Sequence, residues 1–159
     1  MNNSDDNTAL EEKRTAAVQK TLSRLTAVSF CYNKILLGKE SQPEKILTTL
    51  HSFNMENSPK ANSRYYELLI KAIKFHYLEA QIAAEQFLVN GRSFNQLNKV
   101  YQAILITAGC EFKECDQTPT KVIINEYTNI ASSFGDELIT GFINAVLDKL
   151  SKILRNNTK

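Results

Sequence analysis

The stretch TPTKVIINEY, residues 118–127, has the polar and apolar spacing of an amphipathic helix. Thr118 fits the N-cap, and Pro119 fits the first helical position, where its missing N–H costs nothing. At about 100° per residue, the apolar face extends beyond this stretch and consists of Ile123, Ile124, Tyr127, Ile130, Ala131 and Phe134. Lys121 and Asn125 lie on the opposite face and Glu126 lies on the flank, which argues against a buried catalytic cluster.

The same helical periodicity extends along most of the chain. It predicts helices at about residues 18–37, 41–53, 64–89, 94–112 and 118–134, and a last helix from about 136 onward. Gly38 fits the stop of the first helix, Pro43 fits the first turn of the second, and Asp136 fits the cap of the last. No segment shows the alternation of a strand, and only five Gly and three Pro interrupt the chain. We therefore predict an all-α fold.

The N-terminal stretch MNNSDDNTALEEKR is polar and acidic, and it lacks the apolar core of a secretory signal or a membrane anchor. We expect residues 1–15 to form a disordered tail and residues 16–156 to form a single helical domain. No apolar run approaches the ~18 residues of a membrane-spanning helix. The sequence thus predicts a soluble, cytoplasmic protein without a membrane partner.

Basic residues are concentrated in two segments of a chain whose net charge is only +2. Residues 13–39 contain no acid, and their basic residues are Lys13, Arg14, Lys20, Arg24, Lys34 and Lys39. The C-terminal segment adds Lys149, Lys152, Arg155 and Lys159. Such segments indicate either an anionic partner, with nucleic acid as the first candidate, or a solvated basic surface.

The sequence offers few groups for catalysis or metal binding. Its three cysteines, Cys31, Cys110 and Cys115, match no disulfide framework and fit reduced thiols. The two histidines, His51 and His76, are distant in sequence from each other and from the cysteines, so no set of metal ligands is predicted. The sequence contains no glycine-rich phosphate loop and none of the common hydrolase motifs. We expect no cofactor, no small-molecule substrate and no enzymatic activity, which leaves a binding function.

Three blocks in the last third of the chain, PTKVIINEY, SFG and GFINAVLDKL, resemble the signature of the NusB family of bacterial transcription antitermination factors. Upstream, SRLTAVSFCY is similar to the N-terminal helix of that family. The resemblance implies about six to seven helices in two small packed bundles, at about 16–90 and 94–156, with no catalytic site and no cofactor. It also implies pairing with NusE, a ribosomal protein of the small subunit, and binding of single-stranded boxA RNA from ribosomal RNA leaders. Such a complex helps RNA polymerase to pass terminators.

The resemblance assigns roles to residues at matching positions. The expected RNA-binding residues are Lys13, Arg14, Lys20, Arg24 and Tyr32. The expected partner-binding residues are Glu111, Phe142, Asn144 and Asp148. Structural roles, such as fastening helices to one another, are expected for Pro119, Asn125 and Glu126. Phe142 and Tyr32 fit a packing role equally well.

The chain also departs from the family pattern. Members often open with a dense arginine run, whereas this chain has QKTLSR there, so we expect its RNA affinity to be weaker or differently distributed. Gly109 replaces a larger residue and would either weaken its helix slightly or permit a close helix crossing, and Gly141 stands where a basic residue is common. Two other functions fit the same residues: a NusB-like accessory module for ribosomal RNA modification, and a helical adaptor that binds only proteins.

Overall fold

The computed structural model describes residues 2–53, 58–87 and 93–156. These ranges contain six α-helices, one short 3-10 helix and no strand. The helices are α1 Asn2–Leu37, α2 Pro43–Phe53, α3 Ser63–Glu85, α4 Lys99–Glu114, α5 Thr120–Ser132 and α6 Glu137–Asn156, with the 3-10 helix at Phe94–Gln96. The predicted all-α fold of about six to seven helices is confirmed.

Helix α4 is the centre of the fold. Residues 101–112 are all buried, although the helix contains Gln102, Thr107 and Glu111 among its apolar residues. It contacts α1, α3, α5 and α6. A helix that is apolar on nearly every side is stable only when other helices surround it. The apolar sequence of α4 therefore accounts for its central position.

Gly109 lies where α4 crosses α3. A Cβ atom at this position would stand 2.8 Å from the Cβ of Ala80 on α3 and 3.3 Å from Cδ1 of Leu154 on α6. Real side chains do not approach so closely, so the missing side chain of glycine sets the distance between the two helices. The close crossing expected from Gly109 is present.

The predicted start of the first helix is wrong, because α1 begins at Asn2 and not near residue 18. Residues 2–15, expected to be a disordered tail, are helical, and residues 4–18 are exposed on all sides. Strong helix formers lie just before the packed part of α1, at Ala9, Leu10, Glu11, Glu12, Ala16 and Ala17, and favour continuation of the helix into solvent. The prediction relied on buried periodicity, which a solvated helical extension does not have.

Other helix ends differ by a few residues from the prediction. Pro119 occupies the N-cap of α5 and Thr120 is its first residue, one position later than expected. Residues 94–96 form a separate 3-10 helix, so α4 begins only at Lys99. Asn98, just before it, accepts a hydrogen bond from the Val100 N–H at 3.1 Å. Asp136 caps α6 as predicted, accepting from the Ile139 N–H at 3.1 Å.

None of the described helices is long and apolar enough to cross a bilayer. The division into sub-bundles at about 16–90 and 94–156 stays a prediction.

Candidate nucleic-acid interface

Exposed cationic side chains lie along the N-terminal half of α1. Lys13, Arg14 and Lys20 are exposed, and none of them forms an ion pair with the acids that the structure describes. Lys13 and Lys20 line one wall of a groove of about 360 Å³, whose other wall consists of Gln117, Thr118, Pro119 and Val122. The groove is therefore an open channel with ammonium groups on one side and the entry to α5 on the other.

Lys20 is held at this groove by an aromatic ring. Its Nζ lies 5.1 Å from the ring centroid of Tyr65, and Cζ of Arg24 lies 5.0 Å from the same centroid. A cation within about 6 Å of a tyrosine face is attracted by the ring quadrupole. Tyr65 is fixed at the start of α3, where its N–H donates to Asn62 Oδ1 at 3.0 Å. The carbonyl oxygen of Asn62 accepts a hydrogen bond from the Ser23 hydroxyl of α1 at 2.7 Å. The position of Lys20 thus depends on the docking of α3 against α1.

Beneath the groove, Arg24 is buried and fully engaged. It is only 2% exposed. Its Nε lies 3.1 Å from both carboxylate oxygens of Glu111, and Nη2 donates to Oε1 of the same carboxylate at 2.8 Å and to the Tyr65 hydroxyl at 3.0 Å. The remaining Nη1 lies 3.3 Å from Oε2 of Glu126. All three nitrogens of the guanidinium therefore have partners inside the protein.

Glu111 is the acceptor at the centre of this arrangement and has no exposed surface. Besides Arg24, it accepts hydrogen bonds from the hydroxyls of Tyr65 and Tyr127, the latter at 2.6 Å. Four donors from three helices satisfy a carboxylate that would otherwise be costly to bury. Arg24, Tyr65, Glu111, Glu126 and Tyr127 are called the Arg24 cluster below; they join α1, α3, α4 and α5.

The protonation states in the Arg24 cluster follow from burial and from the Glu111 charge. Burial opposes the charge on Arg24, but the hydrogen bonds and charge of Glu111 outweigh that effect and raise the pKa of the guanidinium. Burial raises the pKa of Tyr127 well above its usual value, and the negative charge of Glu111 raises it further. The same two causes raise the pKa of Tyr65. Both phenols are therefore neutral donors at physiological pH.

This geometry corrects two predicted roles. Arg24 was expected to contact RNA and Glu111 to contact a protein partner, but each is buried and bonded to the other. The residues adjacent in sequence to Arg24 do not reveal its partner, which lies 87 positions later. One signal was available: α4 carries a single acid within its long apolar stretch, and a buried acid requires a buried donor or cation.

The other predicted site residues occupy varied positions. Tyr32 and Phe142 are half-buried and pack against the core. Asn144 is exposed on α6 and accepts a hydrogen bond from the Thr128 hydroxyl of α5 at 3.2 Å. Asp148, also exposed, forms an ion pair with Lys152 one turn later at 3.0 Å. Partner roles for the three residues on α6 stay predictions.

Glu126 fastens α5 to α1. Its Oε2 accepts from the Thr21 hydroxyl at 2.7 Å and pairs with Arg24. Asn125 next to it is exposed and makes no side-chain hydrogen bond to the residues that the structure describes. Glu126 and Pro119 therefore line the groove, whereas Asn125 does not.

Arg155 has a structural role that its place in the basic C-terminal segment does not reveal. Its guanidinium donates to the carbonyl oxygens of Phe112 (3.2 Å) and Cys115 (2.8 Å) and to the Thr120 hydroxyl (3.0 Å). It thereby satisfies the carbonyl end of α4 and fixes the loop that leads into α5. That loop forms one wall of the groove.

Within residues 2–53, 58–87 and 93–156, no group of three or more His, Cys, Asp and Glu side chains could hold a metal ion. Cys31, Cys110 and Cys115 are free and buried. Burial raises the pKa of Cys31 and of Cys115 to about 12, so both thiols are protonated at physiological pH.

The family model described as "NusB family" matches residues 12–152 of this chain. The chain belongs to the NusB family. Among its relatives named "Transcription antitermination protein NusB", that of Rickettsia africae is 30% identical over 145 residues, and that of Rickettsia felis is 27% identical over 143 residues. Each alignment covers 84% of this chain and 92% of the relative.

Solved structures share the fold. NusB of T. maritima matches with a TM-score of 0.64 at 23% identity, over 84% of this chain and 90% of that one. NusB of Aquifex aeolicus, solved in solution, matches with a TM-score of 0.66 at 22% identity, over 89% and 93% of the two chains. The all-helical arrangement is therefore that of NusB proteins.

Proposed function

We propose that this chain is an RNA-binding transcription antitermination factor that pairs with NusE and binds boxA RNA of ribosomal RNA leaders. The resulting complex would act on RNA polymerase to support passage through terminators. Membership of the NusB family is the observation that carries this proposal, because the match covers residues 12–152. The relatives' own names, transcription antitermination proteins, support the same function.

The exposed cations on α1 support an RNA-binding role. Lys13, Arg14 and Lys20 offer their charge to solvent, unlike Arg24. Each phosphate neutralised on single-stranded RNA releases counterions and contributes about −0.7 to the slope of log K against log salt. Three contacts therefore predict a slope of about −2. Because so few phosphate contacts contribute little binding free energy, we expect the chain alone to bind weakly.

A second protein surface would raise the affinity for RNA above that of this chain alone. Two linked contact surfaces hold one RNA more tightly than either surface does alone, because the second contact is intramolecular. Pairing with NusE would supply that second surface. Sequence would be read from the exposed base edges of the single strand, since these are accessible to side chains.

The Arg24 cluster has a supporting role in this proposal. It fixes α1 against α3, α4 and α5, and the exposed cations stand on the same helix one turn and more before Arg24. Burial keeps Arg24 and Glu111 from contacting RNA directly. We infer that the cluster holds the helix that carries the binding residues.

The test is a titration of fluorescently labelled boxA RNA and a scrambled RNA with this protein, with and without NusE, at two salt concentrations. We expect tight binding of boxA only when NusE is present, with weaker binding of the scrambled RNA and a marked loss of affinity at the higher salt. Equal affinity for the two RNAs in the presence of NusE would contradict the proposal. Binding of NusE without any RNA affinity would instead support a helical adaptor that binds only proteins.

A further inference from the structure

The groove between α1 and α5 is lined by one carboxylate, that of Glu126. Its side chain is 24% exposed. Lys13 and Lys20, which attract phosphates, line the same groove, whereas a carboxylate repels them. Attraction of the RNA backbone therefore does not account for Glu126. A carboxylate oxygen is, however, a strong hydrogen-bond acceptor, and unpaired RNA bases carry donors on their edges.

One oxygen of the Glu126 carboxylate is anchored and the other is free. Oε2 accepts a hydrogen bond from the Thr21 hydroxyl at 2.7 Å and lies 3.3 Å from Nη1 of Arg24. Oε1 accepts no hydrogen bond from the residues that the structure describes. Because Oε2 fixes the side chain, Oε1 is held in place before any ligand arrives. The groove therefore contains a preorganised acceptor with unused lone pairs.

The walls of the groove beside this acceptor are largely apolar. Ala16 and Ala17 line it from α1, and Pro119 and Val122 line it from the start of α5. Val122 is 41% exposed, so its side chain is available for contact. The faces of a nucleobase are apolar and its edges are polar, and an unpaired base can leave the strand to pack against side chains. Two apolar walls and a polar acceptor therefore fit a single base, while the two lysines fit its phosphates.

The chemistry of the acceptor indicates which bases would fit. Adenine, cytosine and guanine each carry an exocyclic amine, which donates hydrogen bonds. Uracil carries carbonyl oxygens on both sides of its single N–H, and these oxygens repel a carboxylate. A hydrogen bond to a charged acceptor is stronger than one to a neutral acceptor. An amine-bearing base at this place is therefore favoured over uracil.

We propose that Glu126 is a specificity-determining residue of the RNA interface. Its Oε1 accepts a hydrogen bond from the exocyclic amine of an unpaired adenine, cytosine or guanine that lies between the apolar walls, while Lys13 and Lys20 contact the adjacent phosphates. This inference rests on the RNA-binding function proposed above and adds how one base of the strand is selected. Glu126 thus has two roles, because Oε2 fastens α5 to α1 and Oε1 selects the base.

The first test compares oligocytidine and oligouridine of about eight nucleotides, titrated with the full chain at neutral pH and low salt. These bases differ chiefly in an amine or an oxygen at C4, so the ratio of their Kd values reports the amine. We expect the wild-type chain to favour oligocytidine about tenfold, and Glu126→Gln to favour it less than about threefold. The matched control is Glu137→Gln, an exposed acid at the start of α6 and outside the groove, which should keep the wild-type ratio.

The second test uses boxA RNA in the presence of NusE. Each amine-bearing base is replaced, one at a time, by its analogue without the amine: purine riboside for adenosine, inosine for guanosine and pyrimidin-2-one riboside for cytidine. At one position, we expect the replacement to weaken wild-type binding about tenfold and Glu126→Gln binding less than about threefold. At every other position the two proteins should lose affinity equally. Circular dichroism melting checks that Glu126→Gln is folded.

A purely structural Glu126 predicts a different pattern. Glu126→Gln would then weaken binding of all RNAs by the same factor and leave both ratios unchanged, which would overturn the proposal. Equal affinity of the wild-type chain for oligocytidine and oligouridine would also overturn it. In both cases the preference for boxA over scrambled RNA would stand. Loss of that preference, or no binding of either homopolymer, would instead contradict the RNA-binding function itself, so the two failures are distinguishable.

Discussion

Arg24 of α1 and Glu111 of α4 lie 87 positions apart in the chain and form a buried ion pair, with 2.8 Å between Nη2 and Oε1. The pair explains why an arginine occurs on a helix face that otherwise packs into the core. It also links the fold to the candidate interface, because Lys20 stands one turn before Arg24 and both contact the ring of Tyr65. Stability and the position of Lys20 at the candidate interface therefore depend on the same cluster.

Substitution of Arg24→Gln should strongly destabilise the protein. It leaves the Glu111 carboxylate buried without a charged partner, which costs about 3–5 kcal/mol in the free energy of unfolding. Urea unfolding followed by circular dichroism at neutral pH measures this change. The matched control is Arg14→Gln, ten residues earlier on the same helix and exposed, which should alter stability by no more than about 0.5 kcal/mol.

The Arg24 and Glu111 side chains should also be energetically coupled. In a double-mutant cycle of Arg24→Gln and Glu111→Gln, we expect the double variant to be more stable than the sum of the single losses predicts, by at least about 1 kcal/mol. The removal of both charges avoids an isolated buried ion. Additive single effects would show that the pair contributes no mutual stabilisation, contrary to the observed geometry.

Two glycine-to-alanine substitutions should change stability in opposite directions. Gly109→Ala introduces a Cβ at 2.8 Å from that of Ala80, and overpacking of this kind costs about 1–3 kcal/mol, which exceeds the gain of ~1 kcal/mol in helix propensity. Gly141→Ala on α6 meets no atom within 4 Å and should stabilise the protein by about 0.5–1 kcal/mol. Thermal unfolding of both variants measures the difference. A stabilising Gly109→Ala would mean that α3 and α4 separate easily.

Local sequence patterns predicted the buried helices but not the contacts of the site. The apolar periodicity and capping residues of 118–134 predicted α5 to within about one residue at its start, because both signals are local. The roles of Arg24 and Glu111 depend on a contact between α1 and α4, which no local pattern records. The exposed helix of residues 4–18 was missed because it has no buried face whose periodicity would reveal it. Lys13 and Lys20 of the basic run 13–39 are exposed, whereas Arg24 of the same run is buried, and the run alone does not distinguish them.

Tyr127→Phe should reduce the loss of stability at alkaline pH. The pKa of Tyr127 is raised in the folded state by burial and by Glu111, so the folded protein holds this proton more tightly than the unfolded chain. The associated stability is complete below about pH 10, the unfolded pKa, and is lost at about 1.4 kcal/mol per pH unit as the pH rises toward the folded value. Without the phenol, the decline above about pH 10 should be shallower by that amount.

Urea unfolding at several pH values between about 8 and 11 measures the effect. Below about pH 9, the wild-type and Tyr127→Phe stabilities should run parallel, separated by about 1–3 kcal/mol for the lost hydrogen bond to Glu111. Curves that stay parallel up to about pH 11 would show that the hydroxyl of Tyr127 titrates normally in the folded protein, against the burial observed for it.

The double variant Lys13→Glu with Lys20→Glu should weaken boxA binding in the presence of NusE without a loss of stability. Both side chains are exposed on the same wall of the groove, so the change removes two phosphate contacts and adds two like charges. The slope of log K against log salt should become less steep by about 1.4, at ~0.7 per contact.

The matched control is Lys74→Glu, an exposed lysine on α3 whose side chain lies beside α2 and outside the groove. Lys74→Glu changes the net charge by half as much as the double variant does, and it should leave the salt slope unchanged. If Lys74→Glu weakens binding as much per charge, the effect of the α1 lysines is a general charge effect and the RNA contacts lie elsewhere on the protein.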